Sequence, residues 1–376
     1  MNDTDLHIGF DAKRAFFNNS GLGNYSRDLI KLLSEYNPEN EYYLFKHKNK
    51  QGVKFETINN VHTILPSTSF YKKFGGIWRS AGMCGDIKKS PINIYHGLSQ
   101  ELPLGIEKTG VKTVVTIHDC IFLRFPELFD ISYNIIFKQK YTHACRVADC
   151  IIAISEQTKR DIMHYFNVPE EKIDVVYQGC NTNFYDAVSA EKKKVVKEKY
   201  NLPDKFILSV GTIEERKNLL SVFKGVKKAN IDVPVIAIGR ATDYTEKVKT
   251  YVKENNLNGT FIHNADFEDF PAIYQLATCM AYPSIFEGFG IPILEALNSG
   301  TPVITTAGGV FPEVGGDAAL YVEYGNDEQM SDCLTRILND ENLRKELSQK
   351  GKKQALKFRE AEIAKNLMSV YKKIVL

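Results

Sequence analysis

The sequence predicts an α/β protein made of two doubly wound, Rossmann-like domains that face each other across a cleft. Short apolar segments alternate with amphipathic helical patterns along the whole chain, which is typical of parallel sheets covered by helices on both faces. The thirteen strand candidates are too many for one small sheet. A charged, linker-like run at 190–199, within the region 183–204, marks the break between the two halves.

The elements were assigned in chain order from apolar runs and helical periodicity. The first series of strand candidates is Leu6–Phe10, Tyr42–Phe45, Val61–Leu65, Ile92–Tyr95, Thr113–Ile117, Cys150–Ile154 and Ile173–Tyr177. The second series is Phe206–Val210, Val233–Ile238, Thr260–Phe261, Cys279–Tyr282, Pro302–Thr305 and Leu320–Val322. Helical patterns lie between them, for example at Asn24–Tyr36, Glu156–Phe166, Leu219–Ala229 and Thr245–Asn255.

These elements predict a first domain at residues 1–185 and a second domain at residues 186–359. The last stretch, about 360–376, has a helical pattern and is expected to pack back on the first domain. Parallel sheets of this kind bind ligands at the carboxyl ends of their strands. The cleft between the two domains is therefore the expected ligand site.

Composition indicates a globular protein and argues against several classes. A chain of 376 residues suits two or three domains, and a net charge of +2 gives no indication of nucleic-acid binding. The seven cysteines form no C-x-x-C pair, which favours buried thiols in a reducing cytosol. The first five residues lack the features of a signal peptide, and no apolar run approaches the ~20 residues that span a bilayer. A cytoplasmic location is expected.

Two carboxylates eight residues apart mark the most informative segment. Glu287 follows the strand candidate that ends at Tyr282, and Glu295 lies on the first turns of the next predicted helix. The start of that helix, near Gly290, would present unpaired N–H groups and a partial positive charge to an anion. Carboxylates accept hydrogen bonds from hydroxyls, so phosphate and hydroxyl recognition together suggest a sugar nucleotide. The alternative is an ordinary strand, loop and helix with two surface glutamates.

A pair of cations follows the first strand of the second half. Arg216 and Lys217 precede Asn218, which is a suitable N-cap for the helix that begins at Leu219. Two cations and a helix dipole can neutralise a leaving diphosphate without a metal. The alternative is a solvated Arg–Lys pair on a loop. A metal site is not expected, because the sole D-x-D pattern, Asp3 to Asp5, lies in the N-terminal segment and no H-E-x-x-H is present.

The first half offers two further ligand-binding candidates at strand ends. Gly21 and Gly23 open a helix after the first strand, where glycine lets the backbone approach a phosphate closely. His118 and Asp119 follow the strand that ends at Ile117, where ligands bind rather than in the core. The alternative for His118 is a histidine capped by its neighbouring aspartate.

The segment 69–83 mixes aromatic and basic residues and contains the one tryptophan of the sequence, Trp78. Such a segment suits an anionic membrane surface or a lipid-linked acceptor. The alternative is a surface helix that packs its aromatic rings inward.

Together these motifs resemble the retaining glycosyltransferases of family four, which have the two-domain GT-B fold. The resemblance covers nearly the whole chain, and its strongest part is the E-x7-E motif from Glu287 to Glu295. Supporting motifs in family order are Gly21–Tyr25, Thr116–Asp119, Ile154–Glu156, Val175–Tyr177, Val210–Asn218 and Pro312–Val314.

The resemblance implies roles for these residues. Glu295 would hold the ribose hydroxyls of the donor, and Glu287 would contact the transferred sugar near its reacting face. Arg216 and Lys217 would bind the diphosphate, and His118 would help to stabilise the transition state. Further donor-binding positions would be Gly21, Gly23, Phe289, Gly290 and Ile291. Acceptor contacts would come from first-domain loops, with Phe16, Trp78 and Asp119 as candidates.

The resemblance further implies a metal-independent hexosyltransferase that acts with retention on a glycan or lipid-linked acceptor in surface polysaccharide biosynthesis. The stretch Phe122–Glu127 after His118–Asp119 is similar to the mannosyltransferase branch, which favours GDP-mannose as donor. The chain has Gly211–Thr212 where many members have Gly-Arg, and Gln178–Asn181 replaces a more usual Asn-Gly-Val-Asp. The alternatives are a UDP-sugar-dependent transferase, a nucleotide-sugar 2-epimerase of the same fold, and a non-catalytic sugar-nucleotide sensor.

Overall fold

A computed structural model of the chain describes residues 5–18, 20–48 and 60–375. The chain divides into two compact units. The first unit comprises the chain up to Gln178 and the segment from Glu360 onward, and the second unit comprises Gly179–Arg359. The first boundary therefore lies seven residues before the 185/186 position expected from the sequence. Asp3 of the D-x-D pattern lies outside the described residues.

The described part of the first unit contains seven strands and eight α-helices ahead of the second unit. The strands are β1 (His7–Asp11), β2 (Glu41–Phe45), β3 (Val61–Ile64), β4 (Ile94–Gly97), β5 (Lys112–Ile117), β6 (Cys150–Ala153) and β7 (Ile173–Val175). The helices are α1 (Lys13–Phe17), α2 (Gly21–Tyr36), α3 (Ser69–Lys73), α4 (Gly75–Ile77), α5 (Met83–Ile87), α6 (Ile121–Arg124), α7 (Ile131–Val147) and α8 (Glu156–Phe166). A π-helical turn, Trp78–Gly82, joins α4 to α5.

The seven strands form one parallel sheet in the order β3-β2-β1-β4-β5-β6-β7. Every residue of β4 and of β6 is buried, as expected for central strands of a sheet that is covered on both faces. One core cluster contains Leu29 and Leu33 of α2, and the other contains Tyr141 of α7 and Ile162 of α8. The chain order reverses between β1 and β4, which defines the topological switch point of this sheet.

The second unit contains six strands and eight helices. The strands are β8 (Ile207–Val210), β9 (Val235–Ile238), β10 (Gly259–Ile262), β11 (Cys279–Tyr282), β12 (Val303–Thr306) and β13 (Ala319–Val322). The helices are α9 (Ala190–Lys199), α10 (Leu219–Lys228), α11 (Asp243–Glu254), α12 (Phe270–Leu276), α13 (Ile291–Ser299), α14 (Phe311–Gly315), α15 (Asp327–Asn339) and α16 (Glu341–Ala355).

The six strands are parallel and follow the order β10-β9-β8-β11-β12-β13. Helix α10 packs its apolar stripe, including Val222 and Phe223, against the sheet and α15. The chain order reverses between β8 and β11. The carboxyl ends of these two neighbouring strands therefore form the switch point at which ligands bind in such sheets.

The final helix, α17 (Glu360–Val375), belongs to the first unit. Its buried face, which includes Leu367 and Tyr371, lies in the same core cluster as β1 and α2. The Lys373 ammonium group contacts Asp174 at 2.9 Å. The chain thus leaves the first unit at β7 and completes its core with this helix.

The thirteen strands and their division into two parallel sheets confirm the predicted fold class at the level of each unit. The charged run at 190–199 is helix α9, not a linker. Two of its lysines, Lys192 and Lys199, pair with the buried Asp269 carboxylate, so their charges serve packing inside the second unit. None of the described helices has the length and apolarity needed to cross a membrane.

Candidate active site

Two loops meet at the switch point of the second unit. One follows β8 and carries Arg216 and Lys217, and the other follows β11 and carries Glu287. The backbone holds the loops together, because the Ile285 N–H donates to the Arg216 carbonyl at 2.8 Å. The Ser284 hydroxyl oxygen lies 3.2 Å from the same carbonyl oxygen. The sequence-predicted residues of this half are therefore brought together by adjacent strand ends.

One oxygen of the Glu287 carboxylate, Oε1, receives all four polar contacts that the structure shows for this group. Lys217 Nζ lies at 2.5 Å and Arg216 Nη1 at 2.8 Å from Oε1. The hydroxyls of Tyr282 and Ser284 each donate to Oε1 at 2.9 Å. The second oxygen, Oε2, makes none of these contacts.

The charges of this cluster are strongly coupled. Burial acts to raise the pKa of Glu287, but Lys217 and Arg216 outweigh it and lower the pKa from 4.5 to about 2. Both cations keep part of their side chains accessible, 19% for Arg216 and 16% for Lys217. The site therefore places two cations beside the Glu287 carboxylate, and the accessible part of each cation can contact an anion.

The Arg216 guanidinium is held by two further acceptors. Its Nη1 donates to the Phe286 carbonyl at 2.6 Å, and its Nη2 donates to Glu214 at 2.7 Å. Lys217 lies over the Tyr282 ring, with Nζ 4.8 Å from the centroid. Asn218 follows in the left-handed region at φ 54°, and its side chain makes no capping hydrogen bond to α10. Asn218 therefore occupies the predicted N-cap position of α10 but does not cap the helix through its side chain.

The second carboxylate of the motif, Glu295, occupies a different environment. It lies on α13, is 8% exposed, and accepts a hydrogen bond from the Tyr274 hydroxyl at 2.8 Å. Burial raises the pKa of Glu295 from 4.5 to about 7, and the Tyr274 hydrogen bond only partly opposes this. The alternative in which Glu295 is an ordinary surface glutamate is therefore wrong.

The start of α13 is shaped by glycine and proline. Gly290 occupies the N-cap with φ 113°, and Pro292 falls in the first turn, where a missing N–H has no cost. Ile291 is the first residue of the helix. The Phe289 side chain is 2% exposed and packs edge-on against Phe358, so this position can offer a ligand its backbone but not its ring.

In the first unit, His118 follows β5 and is buried. Its Nε2 lies 3.0 Å from the Leu98 carbonyl, which can only accept, so Nε2 carries the proton. Burial lowers the pKa of His118 from 6.5 to about 4. The imidazole is therefore neutral near pH 7, and its Nδ1 is an acceptor.

A buried hydrogen-bonded chain runs from the final helix to Tyr25, which packs against His118. The Tyr371 hydroxyl lies 2.7 Å from His96 Nδ1, and His96 Nε2 lies 2.8 Å from the Thr116 hydroxyl. The Thr116 hydroxyl contacts the Tyr25 hydroxyl at 3.2 Å. The Tyr25 ring packs edge-on against His118, with centroids 4.5 Å apart.

Three further candidate residues of the first unit, Gly21, Gly23 and Asp119, lie at the starts of helices α2 and α6. Gly21 is exposed at the start of α2. A Cβ atom on Gly23 would lie 1.9 Å from the Asn18 carbonyl oxygen, so this glycine permits a close backbone approach. The Asp119 carboxylate accepts from the N–H of Ile121, the first residue of α6, at 3.0 Å.

Phe16 and Trp78 were expected to contact an acceptor, but the structure places both side chains in the core. Phe16 is 0% exposed and Trp78 is 1% exposed. The Trp78 Nε1 donates to Asp86 at 2.7 Å, which satisfies the indole inside the unit. Burial therefore removes both rings from any acceptor surface.

An ion network at the switch point of the first unit was not predicted. Asp11 ends β1, and Arg79 bridges it to Glu101 in the loop after β4, with both contacts at 2.5 Å. Lys140 of α7 contacts the other oxygen of Glu101 at 3.0 Å. The positions of Asp11 and Glu101 after neighbouring strands were the available sequence signal, whereas the partner Arg79 becomes visible only in the fold.

Among the site residues predicted from the sequence, Glu287, Arg216 and Lys217 thus form a cluster in the second unit, and His118 lies in a buried polar environment in the first. Within residues 5–18, 20–48 and 60–375, no group of three or more His, Cys, Asp or Glu side chains is arranged to hold a metal ion.

Comparison with known families agrees with this arrangement. The model described as Glycosyltransferase Family 4 matches residues 20–184, and the model described as Glycosyl transferases group 1 matches residues 190–354. The two matches meet near the boundary between the units. The chain belongs to glycosyltransferase family four.

Individual relatives of this family-four chain are O-antigen enzymes. It is 25% identical over 371 residues to the O-antigen chain mannosyltransferase B of Escherichia coli. That alignment covers 94% of this chain and 96% of the relative. It is 31% identical over 237 residues to the O-antigen chain mannosyltransferase RfbU of Salmonella typhimurium, which covers 60% of this chain and 63% of that protein. A crystal structure of a glycosyltransferase from Rickettsia africae superposes with a TM-score of 0.76 at 17% identity, over 99% of both chains. The fold is therefore GT-B.

Proposed function

We propose that this glycosyltransferase moves mannose from GDP-mannose, with retention of configuration, to a glycan or lipid-linked acceptor in surface polysaccharide biosynthesis. The observation that carries the proposal is the ionised cluster of Glu287, Arg216 and Lys217 at the switch point of the second unit. The similarity to two O-antigen mannosyltransferases supports mannose as the sugar and a polysaccharide as the product. The enzyme would work in the cytoplasm, where its thiols stay reduced.

The cations would bind the donor diphosphate. Arg216 and Lys217 are already ionised, partly accessible and held in place by their contacts with Glu287. A diphosphate that contacts both would have its growing charge neutralised as the bond to the sugar breaks. No metal is required for this step on our proposal, because the protein supplies two positive charges.

Glu287 would orient the sugar rather than attack it. A carboxylate that accepts from four donors through one oxygen, and whose pKa is lowered to about 2, is a poor nucleophile and a poor base. This property supports front-side attack by the acceptor. In that reaction the acceptor oxygen bonds to the anomeric carbon while the bond to the phosphate oxygen breaks, and the acceptor proton passes to the leaving diphosphate.

Glu295 and His118 would bind hydroxyl groups of the sugar nucleotide. Glu295, with one oxygen held by Tyr274, would accept from the ribose hydroxyls. Neutral His118 would accept from a sugar hydroxyl at Nδ1, since its Nε2 proton is committed to Leu98. This is a narrower role than general stabilisation of the transition state, because a neutral imidazole brings no positive charge.

The test is steady-state turnover of Lys217→Ala and Glu287→Gln with GDP-mannose and a mannose-terminated acceptor. Loss of a group that stabilises developing charge lowers kcat by roughly 10²–10³-fold. Lys247→Ala, an exposed lysine of the second unit with a 60% exposed side chain, is the control and should retain full activity. Undiminished turnover in both site variants would refute the catalytic assignment.

A further inference from the structure

Two adjacent cations, Lys13 and Arg14, open helix α1 directly after the first strand of the first unit. Lys13 is exposed and Arg14 is half-buried, so a ligand can reach both side chains. Within residues 5–18, 20–48 and 60–375, neither side chain forms an ion pair, and the Arg14 Nε atom is buried without a hydrogen-bond partner. A buried donor without a partner is rare in folded proteins, and it marks a place where a ligand can supply the acceptor.

Two neighbouring carboxylates are already engaged by other donors. Asp11 and Glu101 each place one oxygen 2.5 Å from the Arg79 guanidinium. The second oxygen of Asp11 accepts from the Lys13 backbone N–H at 3.1 Å, and the second oxygen of Glu101 contacts Lys140 at 3.0 Å. All four carboxylate oxygens therefore have a donor other than the side chains of the cation pair.

The electrostatic environment of Lys13 disfavours its own positive charge. Burial lowers the pKa of Lys13 from its usual value of 10.5, and the charges of Arg79 and Arg14 lower it further. The neighbouring carboxylates oppose this shift without reversing it. An anion bound between the two cations would relieve their mutual repulsion, so the pair favours a negatively charged ligand over a neutral one.

The pair lies at the same edge of the sheet as His118. Strands β1, β4 and β5 are neighbours, and α1 follows β1 as His118 follows β5. Helix α1 is tied to α2, because Arg27 Nη1 donates to the Ala15 carbonyl at 2.8 Å, and Tyr25 of α2 packs against His118. Burial is the main cause of the lowered pKa of His118, and the positive charge of Arg14 adds to it. The two cations therefore adjoin the group that would accept from a sugar hydroxyl.

We propose that Lys13 and Arg14 bind an anionic group of the acceptor, a phosphate or a carboxylate. The inference rests on the proposed function in one respect, which is that the acceptor reacts beside His118. A guanidinium can donate two parallel hydrogen bonds to either anion, and the ammonium group adds a point charge. Two sources can supply the anion: an acidic sugar within the glycan, and the diphosphate of a lipid-linked acceptor.

The first test is turnover of three acceptors that end in mannose. One is a neutral methyl disaccharide, the second has glucuronic acid in place of its second sugar, and the third links the neutral disaccharide to an alkyl diphosphate. A charge-assisted hydrogen bond contributes on the order of ten- to a hundredfold, so wild type should favour one charged acceptor over the neutral one in kcat/KM by roughly tenfold or more. The favoured acceptor identifies the source of the anion.

Variants of the pair should remove this preference. In Lys13→Gln/Arg14→Gln the ratio of kcat/KM for the charged and neutral acceptors should fall to about one, because no cation of the pair remains. Arg14→Lys should retain part of the preference, since it keeps the charge and loses the paired donors. The double variant should unfold at a temperature no lower than that of wild type, because it removes two like charges without an ion-pair partner, and this separates ligand binding from a structural role.

The second test is binding without donor or turnover. Calorimetric titration uses methyl glucuronide and an alkyl diphosphate as probes. Wild type should bind at least one probe, and Lys13→Gln/Arg14→Gln should lose that binding. Lys217→Ala should retain it, because that variant lacks a cation of the second unit only.

Lys88→Gln/Lys89→Gln is the matched control. These lysines form another adjacent, exposed pair of the first unit and directly follow α5. The control loses the same amount of charge as Lys13→Gln/Arg14→Gln. It should keep both the wild-type acceptor preference and the binding of the probe.

Several results would overturn the inference. They are equal kcat/KM of wild type for the three acceptors, a preference or probe binding that Lys13→Gln/Arg14→Gln retains, and the absence of binding of both probes to wild type. A raised KM for GDP-mannose in that variant, with an unchanged KM for the charged acceptor, would overturn it by assigning the pair to the donor. Probe binding that the variant loses, in a protein that does not turn over GDP-mannose, would support the anion site and contradict only the proposed function.

Discussion

At the residue scale, the two carboxylates of the E-x7-E motif behave in opposite ways. Lys217 and Arg216 hold the pKa of Glu287 well below its ordinary value, whereas burial raises the pKa of Glu295 to about 7. The sequence predicted both carboxylates as site residues. It did not predict that their pKa values shift in opposite directions, because the shifts depend on the burial of Glu295 and on the contacts of Glu287 with Lys217 and Arg216, which form only in the folded chain.

The raised pKa of Glu295 predicts a pH-dependent stability that Glu295→Gln removes. The folded state binds this proton more tightly than the unfolded chain, so the stabilisation is complete below about pH 4.5 and is lost as the pH rises through about 7. The free energy of unfolding of wild type, minus that of Glu295→Gln, should therefore fall by about 3 kcal/mol between pH 4.5 and about pH 8. Urea denaturation at a series of pH values measures this difference.

The same titration affects ligand binding on our proposal. Ribose hydroxyls donate to a carboxylate, so affinity for GDP-mannose should increase as the pH rises through about 7 in wild type but not in Glu295→Gln. Calorimetric titration at several pH values gives both profiles. Parallel profiles for the two proteins would contradict this role for Glu295.

At the scale of elements, the strand ends of the second unit position the cations. Gly239 follows β9, and a Cβ atom there would lie 1.9 Å from the Gly211 carbonyl oxygen. Gly211 in turn lies beneath Lys217, whose Cε is 3.6 Å from the position of a Cβ on Gly211. The backbone contact between these two glycines therefore supports the loop that carries Arg216 and Lys217.

Gly239→Ala should displace that loop. The added methyl group meets backbone rather than a flexible side chain, so we expect destabilisation of about 1–3 kcal/mol and weaker binding of GDP-mannose. Gly308→Ala is the control, because a Cβ atom there meets nothing within 4 Å. Denaturation and titration of both variants measure the effect, and equal behaviour of the two would show that the contact has no such role.

The final helix makes a specific polar connection to the first unit. Tyr371 has His96 as its hydrogen-bond partner among the described residues, so its hydroxyl donates to Nδ1 and the His96 proton lies on Nε2. The reverse direction would leave the Tyr371 proton buried without an acceptor. Burial lowers the pKa of His96 to about 3, which keeps the ring neutral as this pattern requires.

Tyr371→Phe should destabilise the first unit by about 1–3 kcal/mol, because a buried imidazole nitrogen loses its donor. Tyr36→Phe, which removes a hydroxyl from a side chain that is 46% exposed, should have little effect. Urea denaturation of both variants compares them. A Tyr371→Phe protein as stable as wild type would contradict the assigned direction of donation.

Strands whose residues are buried were predicted correctly from the sequence. The prediction failed at 190–199, where ion pairs with a residue distant in sequence determine the structure. All thirteen strands follow from runs of apolar residues, since central strands of a parallel sheet are buried on both faces. The run at 190–199 reads as a linker in isolation, yet it folds as α9 because Asp269, distant in sequence, neutralises its lysines. The short segments around Trp78 gave no periodic signal that distinguished the buried indole from the exposed Phe70 and Phe74.

At the scale of the whole molecule, the cysteines match the expectation of buried thiols. All seven are free, and Cys84 is the one that is not buried. Burial raises the pKa of the Cys84 thiol, and it raises the pKa of Cys145, Cys150 and Cys279 to about 12. Reactivity with thiol reagents should therefore be confined to the first unit.

Ellman's reagent should modify about one thiol per native chain and all seven after denaturation. Cys84→Ser should abolish the reaction of the native chain. It should lower the number of thiols that react after denaturation from seven to six. Absorbance at the reporter band gives both numbers. Rapid modification of two or more thiols in the native chain would contradict the buried positions of the other six.

The most direct test of the central claim is a thermal-shift series with GDP-mannose, UDP-glucose and ADP-glucose in the presence of EDTA. We predict that GDP-mannose raises the unfolding temperature of wild type and that the increase is lost in Lys217→Ala, whereas Lys247→Ala behaves like wild type. No increase with any of the three sugar nucleotides, or an increase that Lys217→Ala retains in full, would contradict the assignment of Glu287, Arg216 and Lys217 as the donor site.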